Sequence, residues 1–124
     1  MSKEVQINRR LGKVIARRRA IADYTQEQVA EQLGIGKEAF SRIERGVSGA
    51  SVAKLYELAD LFKCGVEAFL VEGSQRPTEQ AERIAQMLEG LSIADRQFVV
   101  EIVERMALKF RASSHRRPRL SEDR

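Results

Sequence analysis

The side chains best placed to do chemistry in this chain are its cations, and they are unevenly spread. Lys3, Arg9, Arg10, Lys13, Arg17, Arg18 and Arg19 crowd residues 1–24 against only Glu4 and Asp23. Lys109, Arg111, Arg116, Arg117, Arg119 and Arg124 crowd residues 109–124 against Glu122 and Asp123. The formal net charge is only +4, because the acidic excess lies between these ends. Lysine and arginine hydrogen-bond phosphate oxygens, so basic ends on an acidic body suit a polyanion met by particular surfaces. On charge alone the alternative is solvated helix faces and an unstructured basic tail.

Other chemistries lack their residues. His115 is the only histidine and lies near the C-terminus, which leaves no histidine-based triad or metal set. No glycine-rich loop is spaced to cradle a phosphate. The expectation is no catalytic site, no metal, no cofactor and no enzymatic activity. Cys64 is the only cysteine, so an internal disulfide is excluded; packing is its favoured role, with redox sensing as the alternative. No apolar run reaches the ~20 residues of a membrane span, and the opening residues lack the order of a signal peptide. A cytoplasmic protein is expected.

The elements that position these cations read as helices throughout, giving an all-α fold. Pro77 and Pro118 are the only prolines, and both fall where helices are not predicted. A first helix is predicted over 8–22, with Leu11, Val14, Ile15 and Ala22 as its apolar stripe. Thr25 and Gln28 have the spacing of a capping box and open a second helix; Gly34 ends it. A third helix over 37–45 turns Phe40 and Ile43 inward and leaves Lys37, Glu38, Ser41, Arg42 and Arg45 outward. Ser51 caps a fourth helix carrying Val52, Leu55, Leu58, Ala59 and Phe62. A short fifth holds Val66, Phe69 and Leu70. Residues 72–77 read as a linker. Thr78 is predicted to cap a sixth helix, and Ser92 with Asp95 to open a seventh that runs to about Phe110.

Two short helices around a glycine turn are the helix-turn-helix arrangement. The run TQEQVAEQLGIGKEAFSRIERG, followed by LYELADLFKCGVEAFL, resembles the lambda-repressor-like (Xre/Cro type) helix-turn-helix DNA-binding domain over about 11–70. The features coincide in order: an arginine in helix one, Thr-Gln opening helix two, a Leu-Gly turn, and Ile-Glu-Arg-Gly closing helix three. The resemblance implies double-stranded DNA as partner. It implies base readout by Lys37, Glu38 and Arg42, with Lys and Arg suited to guanine O6 and N7 and Glu to a cytosine amine. It implies backbone contacts from Thr25, Gln26, Ser41 and Arg45; Arg17 and Arg18 divide evenly between phosphate contact and solvation. It implies a structural pair between Arg19 and Glu44. Gly36 departs from the Ser or Thr that often caps helix three, and Ala50 from the proline that often precedes helix four.

The expected organisation is a five-helix domain over 1–71, the linker, a helical hairpin over 78–111 and a disordered basic tail over 112–124. Phe98, Val99, Ile102, Val103, Met106 and Phe110 of the hairpin exceed what one partner helix covers. A homodimer through this face is therefore expected, and a dimeric transcriptional repressor is the leading function. The alternative is an antitoxin that binds a toxin protein through these helices and also binds its own promoter.

Overall fold

The structure, a computed structural model, describes residues 2–116 and the side chains as far as Ser114. Seven helices and no strands are present among the described residues: α1 (Lys3–Ile21), α2 (Gln26–Leu33), α3 (Lys37–Glu44), α4 (Val52–Phe62), α5 (Glu67–Glu72), α6 (Pro77–Leu88) and α7 (Ile93–Arg116). They divide between two compact units, Met1–Ala85 and Gln86–Arg124.

In the first unit the helix ends follow their local chemistry. Thr25 Oγ1 accepts from the Gln28 amide at 3.1 Å, and Gln28 Oε1 accepts the Thr25 amide at 2.9 Å, which closes the capping box at the head of α2. Gly34 takes the left-handed conformation at φ 69° that turns the chain toward α3. Ser51 Oγ accepts the Lys54 amide at the head of α4. Against these ends packs one core of Val14, Ile15, Val29, Ala30, Phe40, Ile43, Leu55, Leu58, Ala59, Phe62 and Phe69. Phe62 joins its layers, with Tyr24 at 6.2 Å and Phe69 edge-on at 6.4 Å between ring centroids.

The approach of α1 to α3 is made by backbone. A Cβ on Gly12 would stand 2.6 Å from the carbonyl oxygen of Ile43 and closer still to that of Glu44, so only hydrogen fits there. Gly46, at φ 75°, likewise lies against the backbone of Arg9.

Several boundaries differ from the sequence reading. Helix α1 starts at Lys3 instead of 8, because Ser2 Oγ accepts the Val5 amide and supplies an earlier cap. Thr78 does not cap α6. It is the second helical residue, behind Pro77, whose missing amide and fixed φ suit the first position. Ahead of the helix, Ser74 Oγ accepts the Arg76 amide at 3.1 Å and donates to Glu79 at 2.6 Å. In the short α5, Val71 is buried and Leu70 exposed, and Val66 stands just ahead of the helix.

The segment 72–77 is no plain linker. Glu72 closes α5 with its side chain only 7% exposed, held by Arg17 and Arg18, and the Gly73 carbonyl accepts from Arg10 Nε at 3.0 Å. Most of α6 clusters with the first unit, so the boundary falls after 85.

In the second unit Ser92 Oγ accepts the Asp95 amide at the head of α7. Helix α7 continues to Arg116, past the expected tail boundary at 112, since no glycine or proline interrupts residues 112–116. The remaining tail, with Arg117, Pro118 and Arg119, lies outside the described residues. The expected inward face of α7 is open within this chain: Phe98 is 62% exposed and Phe110 60%, with Ile102, Val103 and Met106 also exposed and Val99 half-buried. Val100 and Leu108, on other sides of the helix, are exposed as well.

Candidate nucleic-acid interface

Helix α3 has two unlike sides. Phe40 and Ile43 are buried beneath it, while Lys37, Glu38, Arg42 and Arg45 are exposed and Ser41 is half-buried. Positions 37, 38, 41, 42 and 45 advance by helical spacing, so burial of Phe40 and Ile43 forces the polar set together on the outer surface. At the N-terminus of α3, Gly36 offers no side-chain acceptor. The first-turn amides therefore face outward without a cap, a setting in which anions bind.

The outer surface is internally paired. Glu38 Oε1 accepts from Arg45 Nη2 at 3.0 Å and lies 3.9 Å from Arg42 Nε. All three side chains are more than half exposed, and such pairs contribute at most about 1 kcal/mol. They are thus easily exchanged for contacts with an incoming polyanion. Lys37 has no partner among the described residues.

Beneath this surface lies a tighter network. Arg19 Nε donates to Glu44 Oε2 at 2.6 Å and Arg19 Nη2 to Glu44 Oε1 at 3.1 Å, a two-pronged pairing. The third prong, Arg19 Nη1, donates to the Tyr24 carbonyl at 3.0 Å. Gln26 Nε2 donates to Glu44 Oε1 at 2.7 Å. One carboxylate at the end of α3 thus fixes α1, the loop after it and the first residue of α2. The Gln26 link was missed by sequence reasoning, although Gln26 was singled out for a different role.

Arg17 and Arg18 stand apart from this surface. Arg18 Nε donates to Glu72 Oε2 at 2.8 Å, and Arg17 reaches Glu72 Oε1. At 100° per residue, Arg17 projects from α1 about 200° away from Arg19. Burial, then the neighbouring guanidinium groups of Arg83 and Arg18, push Arg17 below its ordinary value. Cys64 is half-buried beside the core, and burial pushes its thiol up, away from the thiolate that redox chemistry needs.

No helix among the described residues is long and apolar enough to cross a membrane. Residues 15–69 match the helix-turn-helix family model. No curated protein matches the chain.

Proposed function

Through residues 15–69 the chain carries a domain of the lambda-repressor-like helix-turn-helix family, which makes it a DNA-binding transcriptional regulator, and we propose that it acts as a sequence-specific, dimeric repressor. The observation that carries this reading is the outer surface of α3. Its apolar side is buried, its polar side is exposed and its N-terminal turn is uncapped. Lys37, Glu38 and Arg42 read base edges in the major groove. Arg42 and Lys37 donate to guanine, and Glu38 accepts from cytosine. Thr25, Gln26, Ser41 and Arg45 contact the sugar-phosphate backbone and set the register. The interface is built without Arg17 and Arg18, because both guanidinium groups are directed at Glu72 on another side of α1.

Glu38 has two roles in this account. In the free protein it gathers Arg42 and Arg45. On DNA it must find a cytosine amine or face phosphates, which penalises wrong sequences.

The dimer rests on α7. A helix that is apolar on several sides is normally enclosed by other helices. Here Phe98, Val100, Ile102, Val103, Met106, Leu108 and Phe110 are all exposed within one chain. Exposed apolar area of this extent marks an association surface. A five-helix reading head, with α7 in the second unit binding a second copy, is the organisation this supports.

The test is selection of binding sites from a random duplex pool, paired with equilibrium sedimentation at micromolar concentration. The expected result is a dimer that recovers two-fold symmetric sites, with half-site centres about 34 Å, one helical turn, apart. A monomer would overturn the dimer, and a pool with no enriched sequence would overturn sequence reading. A monomer whose α7 instead captures the product of an adjacent gene would favour the antitoxin alternative.

A further inference from the structure

A cleft of about 330 Å³ opens on the side of α1 that carries Arg10, Val14 and Arg17. These residues recur at helical spacing on one face, roughly opposite the face that meets α3 through Gly12 and Arg19. The other wall comes from Val71 and Glu72 at the end of α5, Gly73 just after it, and Gln80 and Arg83 of α6. All of it lies within the first unit.

The charge balance of this cleft is one-sided. Arg10, Lys13, Arg17 and Arg83 line it, and Glu72 is the only carboxylate among the lining residues. Both Glu72 oxygens are already engaged, by Arg17 and by Arg18. Lys13 and Arg83 have no partner among the described residues, and Arg10 uses its Nε on the Gly73 carbonyl, leaving its terminal nitrogens available. The crowding has a second signature. Arg83 and Arg18 add to burial in disfavouring the charged form of Arg17, so an added anion would relieve an existing repulsion. Around the cations stand neutral donors and acceptors in Ser74, Gln75 and Gln80.

We propose that this cleft is a binding site for a small phosphate ester of about nucleotide size, its phosphate held by Lys13, Arg83 and the terminal nitrogens of Arg10. The volume falls at the lower end of small-ligand pockets. Fork-shaped guanidinium donors beside a lysine match the oxygens of a phosphate. The neutral polar residues suit the body of the ligand. The cleft turns away from α3, so an occupant leaves the reading surface open. Because Lys13 belongs to α1 and Arg83 to α6, the bound phosphate ties these two helices together.

Binding of ADP and of pyrophosphate to the full chain, followed by calorimetry at matched ionic strength, tests this. The expected result is saturable binding that raises Tm. Lys13→Ala/Arg83→Ala should weaken it by on the order of tenfold or more, since both remove charged hydrogen bonds to the phosphate. Lys37→Ala/Arg42→Ala, on α3, should leave it unchanged. Circular dichroism checks that the cleft variant keeps its helices; if it does not, Arg83→Gln alone carries the comparison. Absence of saturable binding, binding indifferent to the cleft variant, or binding abolished by the α3 variant would each overturn the proposal. The last outcome would place the anion on the DNA-reading surface.

Discussion

Replacing Gly12 by alanine is expected to destabilise the first unit by about 3 kcal/mol, the upper end of the usual cost of overpacking. The added carbon would meet the carbonyl oxygens of Ile43 and Glu44, which are backbone atoms in the last turn of α3 and cannot swing aside. Either α1 or the end of α3 must move, and both are anchored in the core by Ile15, Phe40 and Ile43. For a small domain this corresponds to a fall in Tm of roughly 15 °C. Two other glycines provide the scale. Gly34→Ala meets no neighbour but must hold the left-handed conformation, costing about 1 kcal/mol. Gly36→Ala meets no neighbour at an ordinary φ and should cost roughly 0.5 kcal/mol, about the difference between glycine and alanine at an N-cap. Thermal melts of the three variants check the order. A Gly12→Ala protein as stable as Gly36→Ala would mean that α1 does not rest on the end of α3.

Glu44→Ala is expected to be comparably damaging, for an electrostatic reason. The carboxylate is 5% exposed and gathers two donors from Arg19 and one from Gln26. Its removal leaves a guanidinium that is only 20% exposed with the Tyr24 carbonyl as its remaining acceptor. Stranding a largely buried charge costs on the order of 3 kcal/mol. Removing both charges, as in Arg19→Met/Glu44→Leu, should cost less than Glu44→Ala alone, because no unpaired ion remains. Denaturant titration of the single and double variants measures this. A double variant worse than the single one would mean that the pair contributes net stability instead of fixing geometry. The same variants should lose DNA affinity beyond their loss of stability, because Glu44 fixes Gln26 at the head of α2 relative to α3.

The local half of this architecture was legible in the sequence. The capping box of Thr25 and Gln28, the turn at Gly34 and the Ser51 cap are short-range signals, and each fixes a helix end by contacts within three or four residues. Phe40 and Ile43 beneath α3 followed from periodicity, and with them the outward set from Lys37 to Arg45. What escaped were contacts between residues far apart in sequence. Glu72 sat in a stretch that read as a linker because Gly73, Ser74 and Pro77 follow it. Nothing local says that its carboxylate is enclosed by two arginines of α1. Gly12 carried a usable hint, since glycine inside a helix is unfavourable unless something must approach closely. The face of α7 shows the opposite limit. Its apolar residues were identified, but periodicity cannot say whether the chain itself covers them, and within this chain most stay exposed.

In the proposed function, α3 reads DNA sequence through Arg42. The most direct test is fluorescence anisotropy of a duplex recovered from the random pool, with the native chain and Arg42→Ala, across a salt series. Arg42 is exposed and only loosely paired, so its removal should leave Tm unchanged. The expected result is tight binding that weakens with salt. Arg42→Ala should lose roughly ten- to hundredfold in affinity, the equivalent of one two-pronged base contact, with preference relaxed at a single base position. A variant that binds as tightly and as selectively as the native chain would contradict the account.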